Sequence, residues 1–140
     1  MIRARFILLA LCSLALSLQA QAQSFVVVVG PHSPLKHLSP HDISNVFLGR
    51  IETLPGAGTV RPLELRDDAE LRLAFHAAIT GMSEHKLRSH WAAMVFTGKA
   101  RPPWRYESVD LLRARLQEDP HAVAYLRRQD LDASLKQVFP

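Results

Sequence analysis

Ser24-Phe25-Val26-Val27-Val28-Val29-Gly30 is the stretch that decides the fold. A strand with one wet face alternates apolar and polar residues, whereas this run is apolar at every position until glycine ends it. That pattern fits a strand buried on both faces of a sheet, which calls for further elements packed above and below. Immediately downstream, Gly30-Pro31-His32-Ser33-Pro34 breaks regular structure. Ser39-Pro40 then opens a helix, with serine as N-cap, proline in the first turn and Asp42 at the positive end of the dipole. Ile43, Val46 and Phe47 form its i, i+3, i+4 stripe, and Gly49 is placed to close it in a left-handed conformation.

Further along, Leu54-Pro55-Gly56-Ala57-Gly58 reads as a turn or loop. Val60 to Leu65 reads as a second strand, in which Pro62 requires an edge or an early position. Asp67 with Glu70 resembles a capping box, opening a helix whose face carries Leu71, Ala74, Phe75 and Ala78 and which stops at Gly81. Ser83 caps a third helix with the stripe Leu87, Trp91, Met94 and Val95, ended by Gly98. Lys99 to Tyr106 is extended or looped, because Pro102 and Pro103 exclude helix. Ser108 caps a fourth helix through Leu111, Leu112 and Leu116, Asp119-Pro120 breaks it, and His121–Leu126 and Leu135–Phe139 read as two last strands. The expectation is an α/β fold, a mixed sheet of about four strands with about four helices.

Upstream of the valine run, Arg3 and Arg5 precede an apolar stretch from Phe6 to Leu18 and then Gln19-Ala20-Gln21-Ala22. A basic start, a short greasy core and an Ala-x-Ala site are the three parts of a secretory signal peptide. The thirteen apolar-run residues span roughly 20 Å as a helix, against a hydrocarbon core of about 30 Å. Residues 1–22 are therefore expected to be a cleavable signal, leaving one exported domain, 23–140. Cys12 is the only cysteine and leaves with the signal, so the domain must rest on its core rather than on disulfides. Arg3 and Arg5 leave too, halving the formal charge of +4 and removing the compositional case for nucleic acid.

The segment Leu38-Ser39, Ile43, Val46-Phe47-Leu48-Gly49-Arg50 is similar to the Leu-Ser … Ile-Phe-Leu-Gly-Lys segment of phosphate-binding-protein-like periplasmic proteins. The similarity runs on through Phe75, Gly81-Met82-Ser83, Trp91, and Phe96-Thr97-Gly98-Lys99 with Pro102-Pro103. His121-Ala122-Val123-Ala124-Tyr125 stands where Gly-Ala-Ile-Gly-Tyr is usual. The resemblance implies the type-2 periplasmic-binding-protein fold in a single lobe-sized, three-layer domain. The complete fold has two lobes that close on a ligand. A lone lobe binds at an open face, pairs with a second copy as a homodimer to build a cleft, or has lost the binding role.

The resemblance also implies where an anion such as phosphate would sit, namely at helix N-termini, where free N–H groups and the dipole favour negative charge. One such turn in the full-length relatives follows a strand ending in arginine and is rich in Ser, Gly and Thr. The matching stretch here is Arg66-Asp67-Asp68-Ala69-Glu70, with three carboxylates in place of hydroxyls and glycine. A helix terminus favours an anion by about 0.3–1 kcal/mol at exposed sites. Each carboxylate about 4 Å from a phosphate opposes it by about 1 kcal/mol even in water. Arg66 and Arg72 pull toward the anion; Asp67 belongs to the same turn, where capping is its plainer role. His32 and Ser33 in the first loop are a second candidate donor set, against a plain loop role, since Pro31 and Pro34 remove two N–H groups.

Lys99, Arg101 and Arg105, interleaved with Trp104 and Tyr106, form a local basic group suited to a carboxylate ligand or a partner protein. The plain alternative is a solvated loop with Trp104 folded onto the core. Metal chemistry is not indicated among the seven histidines: Pro40 separates His37 from His41, and His85 and His90 fall on different helix faces. No serine has a nucleophile-elbow context, and no cofactor motif is present. The sequence thus points to a non-catalytic periplasmic solute-binding or sensory accessory protein. The alternative is an interaction module, without a small ligand, that docks a receptor or transporter ectodomain.

Overall fold

The computed structural model describes residues 24–140. The expected signal peptide lies outside the described residues. In chain order the elements are β1 (Phe25–Val29), α1 (Pro40–Phe47), β2 (Thr53–Leu54), β3 (Gly58–Thr59), β4 (Arg61–Leu65), α2 (Ala69–Ile79), α3 (Glu84–Phe96), β5 (Trp104–Tyr106), α4 (Val109–Glu118), β6 (Ala122–Arg127) and β7 (Lys136–Phe139), with a 3-10 turn at Arg128–Asp130. The main sheet of the described residues has the order β5-β4-β6-β1-β7, and β2 and β3 form a separate two-stranded ribbon. β4 runs parallel to β5 and β6, and β1 runs antiparallel to both its neighbours, β6 and β7.

The strand count is one higher than expected in the main sheet. Trp104–Tyr106, read as extended or looped, pairs with Leu63–Leu65 as an edge strand. The turn at residues 54–58 is the tip of the β2–β3 ribbon. Pro62 is second in β4, an early position as the sequence requires, although β4 is not an edge strand. Arg61 donates its N–H to His121 O on the β6 side. Alternation then puts the missing Pro62 donor on the β5 side, and β5 begins only opposite Leu63. No ladder bond is forfeited.

Every β1 residue is buried, because the strand has a neighbour on each edge and side chains over each face. Phe25 and Val27 stand level with Arg127 and Tyr125 and face α1 and α2; Val26 and Val28 stand level with Leu126 and Ala124 on the other face. On the first face Phe75 of α2 touches Phe25 (centroids 5.3 Å), Phe47 (4.9 Å) and Tyr125 (3.9 Å, stacked). On the second, Leu112 and Leu116 of α4 complete the core. Helices, sheet and helix make three layers.

The helix starts follow their caps. Ser39 accepts from Asp42 N, Ser83 from Lys86 N and Ser108 from Leu111 N. In α2 the cap is Asp68, accepting from Leu71 N, rather than Asp67. The α3 stripe departs from expectation. Of its four residues only Leu87 is buried, and Val95 is 54% and the adjoining Phe96 92% exposed. The helix is held to the body through Leu87, with Trp91 and Met94 half-buried, and its last turn leaves Val95 and Phe96 in solvent.

Candidate functional site

Because β4, β5 and β6 are parallel, their C-terminal ends share one edge, and α2 and α4 start there. At that edge Arg66 follows β4, Glu107 follows β5 and Arg127 closes β6. Ion pairs knit the three ends together. Arg66 Nη1 lies 3.0 Å from Glu107 Oε1, and Arg127 donates to both carboxylate oxygens of Asp68, at 2.8 and 2.7 Å. Glu70 is a further neighbour of Arg127, at 3.6 Å. Asp68 thus does two jobs. One oxygen caps the α2 N-terminus at 3.1 Å from Leu71 N, and both engage the nearest guanidinium. The hydrogen bond from Arg127, opposed by burial and aided by the Leu71 N–H, holds the Asp68 carboxyl below the usual carboxylate range. Among the described residues, the protein's own carboxylate occupies the place at this helix start that an oxyanion would take.

Arg72, one turn into α2, pairs with Glu84 of α3 at 3.1 Å. Asp67 is exposed. Arg66, Asp67 and Arg72 are therefore gathered near one strand end, but both arginines already hold carboxylates. His32 and Ser33 lie elsewhere. β1 runs opposite to β4 and β6, so the loop after β1 sits at their N-terminal end, about 15 Å along the sheet from Arg66. There Ser33 is buried and accepts from Leu35 N, the Ser33 carbonyl accepts from Lys136 Nζ at 2.6 Å, and His32 is exposed. The structure does not bring the two proposed ligand sets together. Strand direction, which periodicity does not encode, separates them.

Behind the α2 edge lies a buried polar group that sequence reading missed. Glu64 of β4 is 2% exposed; it accepts from Arg105 Nε at 2.8 Å and from Tyr125 Oη at 3.0 Å. Burial first, then the Glu64 charge, pushes the Tyr125 hydroxyl far above its ordinary value, so it stays a donor. A detectable signal existed: one acidic residue inside the otherwise apolar second half of β4, level with an arginine on β5. Arg105 is consequently turned to the α2 face and committed, whereas Trp104 points to the other face and is 71% exposed.

His76 of α2 is buried, with Nδ1 3.1 Å from Thr80 Oγ1. Burial, then the nearby Arg72 charge, lowers its pKa to about 4. The unfolded chain takes up this proton near the ordinary histidine value of 6.5, and the native protein does so only near 4. The His76 contribution is therefore fully present above 6.5 and is lost as the pH falls toward 4. Urea midpoints are expected to drop across that window, by up to about 3 kcal/mol of stability. His76→Leu should flatten the slope; an unchanged slope in that variant would remove His76 as its source.

Lys99 and Arg101, expected from the sequence as partner contacts, line an open groove of about 620 Å³ at the opposite end of the sheet from Arg66. Its remaining walls include Val46, Ile51, Val60 and Val95. Among the described residues no three His, Cys, Asp or Glu side chains form a candidate metal cluster, and no helix is long and apolar enough to cross a membrane.

No protein-family model and no curated protein sequence matches the chain. Solved structures do. A protein from Clostridium perfringens, crystallised with bound phosphate and assigned as a phosphate ABC transporter substrate-binding protein, superposes with a TM-score of 0.63 at 15% identity, covering 82% of this chain and 44% of its own. PstS from Borrelia burgdorferi gives 0.57 at 9% identity, over 83% and 46%. An ABC-type phosphate transport receptor from Vibrio cholerae gives 0.54 at 12%, over 82% and 45%. The fold is that of the phosphate-binding periplasmic proteins in single-lobe size, as the sequence resemblance implies, and the chain spans less than half the length of the structures it matches.

Proposed function

We propose that this chain is an exported, non-catalytic binding component of a transport or sensing system, residues 23–140 forming a single lobe that takes a small oxyanion of the phosphate class at the shared strand edge. The observation that supports this most is the superposition on phosphate receptors over 82% of the chain. In this reading the ion pairs at the edge are exchanged, not added to. An incoming oxyanion replaces Asp68 on Arg127 and on the α2 N–H groups, and replaces Glu107 on Arg66. Arg72, held by Glu84, supports the field from behind. A second lobe, from another copy or another chain, closes over the ligand.

The test is calorimetry with inorganic phosphate at low ionic strength. Asp68→Ser keeps an N-cap while removing the competing charge. It is expected to tighten phosphate binding by about tenfold, since a charge at about 4 Å is worth about 1 kcal/mol in water and more at a half-buried edge. Arg66→Ala with Arg127→Ala should abolish the heat. Silence from both the wild type and Asp68→Ser at millimolar phosphate would end the oxyanion reading.

A second reading, a module that docks a receptor or transporter ectodomain with no small ligand, draws on a separate observation. Phe96 and Trp104 are 92% and 71% exposed, at either end of the basic stretch that carries Lys99 and Arg101. Large solvated aromatics flanking unpaired cations are what an interface core and its rim require.

A further inference from the structure

Resting on the docking reading, we propose that the groove beside Lys99 and Arg101 seats an extended acidic segment of a partner protein, one that carries an aromatic or aliphatic side chain between its carboxylates.

Charge points to the occupant. Among the described residues neither Lys99 nor Arg101 has an ion-pair partner, and Glu52 is the one carboxylate lining the groove. Arg61, already paired with Asp119, also lines the wall. The floor is apolar: Val46 from the end of α1, Ile51 and Val60 flanking the β2–β3 ribbon, Val95 from the end of α3. Carboxylates on the rim and a hydrophobic residue on the floor satisfy both halves of that lining.

Length points to a polypeptide rather than a small solute. Arg61 and Pro62 also line a second groove of about 380 Å³, with Trp104, Tyr106, Arg115 and Asp119. The Asp119 carboxylate is buried and already answered by Arg61 and Arg115, so it does not repel an acidic guest. The two grooves share Arg61 and Pro62 where β4 begins, so a path from the α1–α3 side to exposed Trp104 would pass Arg61. An extended segment rising about 3.3 Å per residue can follow such a path.

The wall is also preformed. His90 Nε2 lies 2.7 Å from Leu48 O, bolting α3 to the end of α1. Gly49, at φ +65, sits so close to Ala100 and Trp91 that a Cβ there would lie 2.7 Å from the Ala100 methyl. A groove that needs no ordering on binding keeps more of its contact energy as affinity.

The experiment uses fluorescein-labelled peptides alternating glutamate with tyrosine, and a control with glutamine for each glutamate. Anisotropy at low ionic strength should show saturable binding of the acidic peptide and at least tenfold weaker binding of the control. Lys99→Glu with Arg101→Glu should weaken the acidic peptide at least tenfold, and Trp104→Ala severalfold; Asp68→Ser, at the far edge, should leave it unchanged. No binding, equal binding of the control, or insensitivity to the double charge reversal would overturn the groove assignment. Displacement by millimolar phosphate would also overturn it, by marking a simple anion site. If the charge reversal does nothing while Phe96→Ala and Trp104→Ala abolish binding, the docking reading survives and only the groove fails.

Discussion

Phe75→Ala is expected to lower the unfolding free energy by about 3–5 kcal/mol. Phe75 is fully buried and, among the described residues, is the one ring that touches β1, α1 and β6 together, through Phe25, Phe47 and Tyr125. Its removal forfeits transfer energy and leaves a void bounded by rings too large to collapse into it. It also frees Tyr125, whose hydroxyl is the second donor to buried Glu64, so a packing change becomes a polar one. Urea denaturation measures it. Because small domains carry only about 5–15 kcal/mol in total, the variant should lose a large fraction of its stability. A loss under about 1 kcal/mol would show that the helices find their place on the sheet by other contacts. Phe75→Leu, which keeps most of the volume, should recover much of the loss.

The second large effect is expected at Gly30, where alanine should cost at least about 3 kcal/mol, near the top of the range for overpacked sites. The cause is not backbone conformation. A Cβ at Gly30 would lie 1.7 Å from the carbonyl oxygen of Leu116, well inside van der Waals contact. That oxygen belongs to α4, whose Leu112 and Leu116 fill one face of the core. Relief requires moving either the end of β1 or the helix, and both are fixed by buried neighbours. Thermal melts should show a fall of about 10 °C or more. By contrast, Gly56→Ala, where nothing stands within 4 Å of a Cβ, faces only its positive φ of +77 and should lose about 1 kcal/mol. If the two alanine variants melt together, the close approach at Gly30 is not real.

Much of the local structure was legible because its causes are local. Ser39, Ser83 and Ser108 are caps by chemistry, and Ile43, Val46, Phe47 and the valine run announce their burial by spacing. What escaped depends on partners remote in sequence. Trp104–Tyr106 is a strand only because Leu63–Leu65 lies beside it. The apolar spacing at Val95 promised burial, but periodicity records which side chains share a face, not whether anything covers it. Arg105 looked equivalent to Lys99 and Arg101 until Glu64 claimed it. The two anion-binding candidates were separated by the direction of β1, which four valines do not disclose. The turn at Arg66–Glu70 lies between these two cases. Its acidity was visible in sequence, and the structure adds that Asp68 and Arg127 neutralise each other there.

The position of β1 governs how the chain comes into being. β1, the first strand among the described residues, lies between β6, at residues 122–127, and β7, at residues 136–139. Until residues 122–139 have left the ribosome, β1 lacks both its neighbours, and a nascent chain that stops before them cannot complete this sheet. Pairings this distant in sequence are slow to form. A chain so arranged stays pliable until β6 and β7 arrive, a property that fits the export proposed for it.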